Sequence, residues 1–174
     1  MKSNQQHKLT GKVEVDETVV GGTEEGVVGR KNDKKKTIVI AIERKGKGIS
    51  RFYGKVIECC NAKELGDFMK TVIDVDASVK TDGWTGYTPL KSTFKHLRQV
   101  SSGKKGNNFP DLHRVIMNFK GWLRGIHHHV KYLQAYVDEY AYRFNRSFMT
   151  GGIFENLIKR MVKAKPCTYK NIIN

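Results

Sequence analysis

Residues Lys12–Gly21 read KVEVDETVVG. Val13, Val15 and the Val19-Val20 pair are β-branched, and Gly21-Gly22 follows as a turn, so the stretch is predicted to be a strand. Alternation puts Val13, Val15 and Glu17 on one face, and Glu14, Asp16 and Thr18 on the other. Asp16 is then a carboxylate in the middle of a hydrophobic strand. Burying even part of it costs on the order of several kcal/mol unless something pairs with it. A metal ion would supply that pairing, and so would a lysine on a neighbouring strand. Periodicity alone leaves both open.

Downstream, Thr23–Lys36 is loop-like and ends in Lys34-Lys35-Lys36. Thr37–Arg44 (TIVIAIER) is almost wholly apolar, as a central strand should be. The turn Gly46-Lys47-Gly48 makes it a hairpin with Ile49–Glu58. Ala62–Asp74 is predicted to be a helix, because Leu65, Phe68, Met69, Val72 and Ile73 recur at helical spacing. Asn61 is its expected N-cap, with Glu64 completing a capping box. Ser78–Thr81 is a short strand ending at Asp82-Gly83-Trp84, and Phe94–Val100 is a further candidate. Ser101–Pro110 reads as a polar loop. From Asp111 the pattern is helical, in three stripes: Leu112 to Val130, Leu133 to Phe144, and Phe154 to Val162. The order gives a mixed α/β domain without deciding its topology.

Composition sets the partner class. The 174 residues hold 32 Lys+Arg against 17 Asp+Glu, a formal charge of +15. Such an excess favours a polyanion: DNA, RNA or anionic lipid. The longest aliphatic run is Ile38–Ile42, far short of the ~20 residues a membrane helix needs. The N-terminus lacks a signal-peptide core, so a membrane span and secretion are not expected. Cys59, Cys60 and Cys167 form no zinc-knuckle spacing and suit reduced thiols. His127-His128-His129 point about 100° apart on a helix, so they cannot share one ion.

Asp82 follows a short strand, where ligands collect in α/β sheets; it is equally placed as a turn aspartate. Asn118 lies at the border of the first helical stripe, with Arg114, Gly121 and Gly125 on the same flank. Alone, it reads as a surface amide. Lys104, Lys105, Arg114, Lys120 and Arg124 are interleaved with Trp84 and Trp122, which suits phosphate neutralisation with base stacking.

Taken together, Gly11–Gly22 (GKVEVDETVVGG), Thr81–Tyr87 (TDGWTGY) and Leu112–Arg146 (with HRVIMNFKGWLRGIHHHV and LQAYVDEYAYRFNR) resemble the catalytic region of bacterial insertion-sequence transposases. The similarity is to the ISXO2-like branch, whose active site reads Asp-Asp-Asn rather than Asp-Asp-Glu. It runs from about Thr10 to Arg160. The resemblance implies an RNase H-like α/β fold: a mixed sheet of about five strands flanked by helices, with a helical C-terminal part. It implies Asp16, Asp82 and Asn118 as catalytic metal ligands, separated by 66 and 36 residues. It further implies two Mg²⁺ or Mn²⁺ ions and metal-dependent cleavage and strand transfer in DNA-mediated transposition. DNA contacts are expected from Arg114, Lys120, Arg124, Lys104, Lys105 and Trp84.

The expected partners are element ends and target DNA, in a homo-oligomer without membrane, in the bacterial cytoplasm. The expected layout is an N-terminal extension over 1–10, a catalytic domain over 11–165 and a tail over 166–174. Relatives carry a zinc ribbon and a helix-turn-helix ahead of this region, so a truncated chain is expected. A hydrolytic or purely DNA-binding remnant is the alternative.

Overall fold

The computed structural model describes residues 7–22, 35–103, 107–127, 130–166 and 168. In chain order they form β1 (Lys12–Gly21), β2 (Lys35–Lys45), β3 (Gly48–Ile57), α1 (Ala62–Val72) and β4 (Ser78–Thr81). A 3₁₀ segment (Thr85–Ser92), β5 (Leu97–Gln99), α2 (Pro110–Ile126), α3 (Leu133–Phe144) and α4 (Gly152–Lys163) follow. The strands form one mixed sheet in the order β3-β2-β1-β4-β5. β1 is therefore central, antiparallel to β2 and parallel to β4.

Two apolar layers hold the sheet, one on each face. The β2 run splits between them: Val39 and Ala41 face one layer, Ile38, Ile40 and Ile42 the other. The first layer takes Val13 and Val15 of β1, with Leu65, Phe68, Met69 and Val72 of α1 and Tyr87 and Leu90 of the 3₁₀ segment. The second takes Phe52, with Leu112, Val115, Phe119 and Leu123 of α2 and Val137 and Tyr140 of α3. Hydrophobic periodicity produces this directly, since a strand buried on both faces needs an unbroken apolar run.

Local departures from the expected elements have visible causes. α1 stops at Val72 because Ile73 leaves the helix and pairs in parallel with Leu9. Leu9, expected in an extension outside the domain, is fully buried in the first layer. Asn61 caps α1 by accepting from Glu64 N at 2.9 Å. The Glu64 carboxylate does not close the expected capping box. It accepts instead from the backbone N–H groups of Glu58 and Cys59, at 3.0 and 3.1 Å. β5 is only three residues long because Phe94 closes the 3₁₀ segment, its N–H donating to Leu90 O. The first helical stripe breaks at Ile126, which is exposed; Val130 lies beyond the helix. α4 forms over the third stripe but buries none of it.

β2 and β3 close through Gly46-Lys47, a two-residue turn in which Gly46 takes a φ of 60° that suits glycine. α3 packs so closely on β3 that a Cβ on Gly54 would sit 2.8 Å from Val137 Cγ1.

Candidate active site

The parallel register places the two aspartates. β1 and β4 pair from Lys12↔Ser78 to Val15↔Thr81, and there the pairing ends. Asp16 is the next residue on one chain and Asp82 the next on the other, so they emerge side by side at the strand end. Glu17 joins them. One carboxylate oxygen from each of Asp16, Glu17 and Asp82 lies within 4.8 Å of the other two. Alternation puts Glu17 on the far face of β1. Among the described residues the β4 pairing of β1 ends at Val15, and the Glu17 carboxylate comes within reach of the other two.

The three carboxylates are set differently. Asp16 Oδ1 accepts from Glu17 N at 2.8 Å, and Oδ2 lies 3.5 Å from His113 Nε2. Burial pushes the Asp16 carboxyl above the usual range and the nearby Asp82 charge adds to this, while the Glu17 N–H and His113 oppose it. Asp82 Oδ1 accepts from Trp84 N at 3.0 Å, which fixes the turn. The turn reading and the site reading of Asp82 therefore hold together. Beneath the cluster, the Tyr87 phenol is held well above its ordinary range by burial, then by the charges of Glu17, Asp16 and Asp82. Among the described residues, neither Asp16 nor Asp82 pairs with a lysine or arginine, and the ion pair of Asp16 is with His113.

One residue pair deeper, Glu14 and Arg44 anchor α2. Arg44 Nη1 is 3.4 Å from Glu14 and Nε is 3.0 Å from Asp111, which also holds Arg114 at 2.8 Å. Lys80 donates to Asn108 O and lies 4.4 Å over the Phe109 ring. These contacts start α2 beside β1 and β4, and they place His113 over Asp16.

α2 sorts the remaining candidates by flank. At ~100° per residue, Lys120 and Arg124 lie within ~20° of the azimuth of His113, about 10 and 16 Å further along the axis. They share the flank that meets Asp16. Burial lowers the Lys120 pKa, and Arg124 lowers it further. Asn118 is ~140° around from His113 and ~7.5 Å along the helix, on the flank with Gly121 and Gly125. It is exposed. Arg114 is bound to Asp111 and turned away from His113.

Trp84 flanks the carboxylates, with its indole N–H donating to Cys60 O at 2.8 Å, and the residue is 39% exposed. A Cβ on Gly86 would meet that indole at 2.8 Å, so the glycine makes room for it. Lys104 and Lys105 lie outside the described residues, as do His128, His129 and Cys167. His127 stacks on Tyr136 at 3.8 Å and lies 3.4 Å from Glu139. Cys59 is exposed and Cys60 half-buried. No helix among the described residues is long and apolar enough to cross a membrane.

The donor set fits a hard divalent cation. Three carboxylate oxygens packed this closely repel one another, and all-oxygen ligation is what Mg²⁺ or Mn²⁺ takes. The profile of the ISXO2-like transposase domain matches residues 8–145. The chain belongs to this transposase family. The five-stranded sheet and its helices are accordingly those of the RNase H-like fold of DDE transposases. α4 lies beyond the matched residues. No curated protein matches the chain.

The sequence left two residues of the candidate site unplaced, Glu17 and His113. Strand alternation assigns Glu17 to the face opposite Asp16. His113 carried no motif signal, although its helical phase shared with Lys120 and Arg124 was readable.

Proposed function

We propose that this transposase domain carries out metal-dependent DNA cleavage and strand transfer, with Asp16 and Asp82 as the catalytic metal ligands and Glu17 beside them. The convergence of three carboxylates at the end of the β1–β4 pairing carries this reading. Divalent ions bound there would neutralise charge on the reacting phosphate and make a water or 3′-hydroxyl a better nucleophile. The chain's own residues do the rest. Asp16, held by its bond from Glu17 N, offers a carboxylate with a fixed orientation. Asp82 is held by the Trp84 N–H. Lys120 and Arg124 bind strand phosphates along the α2 flank, and the exposed face of Trp84 stacks on a base. The charge of +15 supports DNA as the substrate.

The test is joining of a labelled DNA 3′-OH end to target DNA in Mn²⁺ or Mg²⁺. Wild-type protein gives joined product, and Asp16→Ala and Asp82→Ala each abolish it while circular dichroism stays unchanged. Full activity in Asp82→Ala sinks the reading. Cleavage without joining marks a hydrolase of the same fold. DNA binding with no metal-dependent chemistry marks a binding remnant.

A further inference from the structure

Where α3 meets α4, two arginines converge on one buried ring. Tyr142 of α3 is 2% exposed, and its hydroxyl lies 3.2 Å from Ile153 O and 3.1 Å from Asn156 Oδ1 of α4. Arg146 Cζ stands 4.3 Å from the centre of the Tyr142 ring, and Arg160 Cζ 5.5 Å from it. Ile153, Asn156 and Arg160 recur at i, i+3 and i+7, so one face of α4 meets this ring. Cation–π contact explains how each guanidinium is held. It does not explain bringing two like charges together. Burial lowers the Arg146 pKa and the Arg160 charge lowers it further, while Tyr142 and Tyr53 oppose this. The nearby Arg143 is bound to Glu139 through Nε at 2.9 Å and Nη2 at 2.8 Å. Among the described residues, neither Arg146 nor Arg160 has an acidic partner. Arg160 Nη1 is buried and finds no acceptor among them. A buried N–H on a cation is costly without an acceptor, and an oxyanion would supply the acceptor and the missing countercharge together.

We propose that Arg146 and Arg160 form a DNA-binding site of their own, which takes phosphates of a strand at the β3 edge, apart from the three carboxylates. This rests on the reading of DNA as the substrate. The placement follows from the anchor of α3. Asn145 is bonded to Phe52 of β3, and Arg146 is the next residue. β3 is two strand spacings, about 10 Å, from β1, so no single phosphate reaches both this pair and Asp16. The planar fork of arginine suits phosphate oxygens. Phe148, two residues past Arg146, is 88% exposed. An open ring beside two cations suits a strand that carries bases, more than a free anion or an acidic side chain.

The experiment is binding of the full chain to a labelled DNA duplex over a salt series, in EDTA so that metal ions play no part. Arg146→Gln and Arg160→Gln should each lower the slope of log K against log salt by about 0.9, and the double variant by about 1.8. Arg160→Lys keeps the charge and should keep the slope. Lys70→Gln, on α1 across the sheet from α3, should leave it unchanged. Urea midpoints show that each variant is folded, and Arg160→Gln alone decides where Arg146→Gln loses the fold. An unchanged slope in the double variant, with Lys120→Ala still lowering it, overturns the proposal and leaves DNA as the substrate. An equal fall in Lys70→Gln also overturns it, because the effect is then one of total charge. With the slope unchanged, stabilisation of wild type but not the double variant by inorganic phosphate marks a free-anion site. Loss of self-association in the double variant marks a carboxylate of a second copy. Either result overturns the proposal as well. Wild-type protein that binds no DNA overturns both readings.

Discussion

The side-chain amide of Asn145 holds both backbone groups of Phe52. Its Oδ1 accepts from Phe52 N at 2.7 Å, and its Nδ2 donates to Phe52 O at 2.9 Å. β3 is an edge strand, and these groups face away from β2. Gln134 does the same further along, accepting from Val56 N at 2.8 Å. The end of α3 is thus fastened to the sheet by a side chain that imitates a neighbouring strand.

Asn145→Ala should therefore destabilise the fold. Two bonds are lost and a part-buried N–H and C=O are left unpaired, at a cost of about 2 kcal/mol. Asn145→Asp keeps the acceptor and loses the donor, so its loss should be smaller. Urea denaturation of the three proteins measures this, with equal slopes and shifted midpoints.

Asp16→Asn should raise the melting temperature at neutral pH while removing metal-dependent chemistry. The Asp16 carboxyl is raised in the folded state, chiefly by burial. The folded chain then binds that proton more tightly than the unfolded chain. The associated stability is present below the unfolded value of 3.8 and is lost as pH rises through the higher folded value. An amide removes the penalty. The gain over wild type should shrink as pH falls toward that unfolded value. Thermal melts across pH, without metal, check the sign.

Lys120→Ala and Arg124→Ala should each weaken DNA binding without regard to sequence. Each should reduce the slope of log K against log salt by about 0.9 if it neutralises one phosphate. Arg114→Ala, whose guanidinium is held by Asp111, should change the slope less. Fluorescence anisotropy over a salt series separates the three.

Gly54→Ala should destabilise the packing of α3 on β3, because the new methyl meets Val137 at 2.8 Å. The expected cost is about 1–3 kcal/mol. Adding Val137→Ala should recover part of it, and a double-mutant cycle on the two positions should show that coupling.

Most of the sheet was legible because its signals are local. The all-apolar Ile38–Ile42 run could only be buried on both faces, and the Val-rich Lys12–Gly21 stretch marked a strand. The order of strands was not legible, because pairing β1 with β4 is a long-range choice that periodicity does not encode. The site divided the same way. Strand and turn position singled out Asp16 and Asp82 but left each open, and the β1–β4 register is what brings them together. Seeing His113 beside Asp16 required knowing which flank of α2 meets β1. Ion pairs across Arg44, Glu14 and Asp111 set that, and no single segment contains them. The apolar stripe of α4 was read correctly as a helix, yet periodicity says nothing of whether a partner covers it.

Asp16 and Asp82 become neighbours only when β4 docks along β1, a contact that spans 66 residues of chain. Closing so long a loop brings an entropic cost before any contact offsets it. Neither a β1–β3 meander alone nor a collapsed chain with slipped register presents the three carboxylates together. A one-residue slip would send Asp16 to the wrong face. An ion bound at this centre would report that the central parallel pairing has formed in register. Any ion held there stabilises only chains that have reached this state.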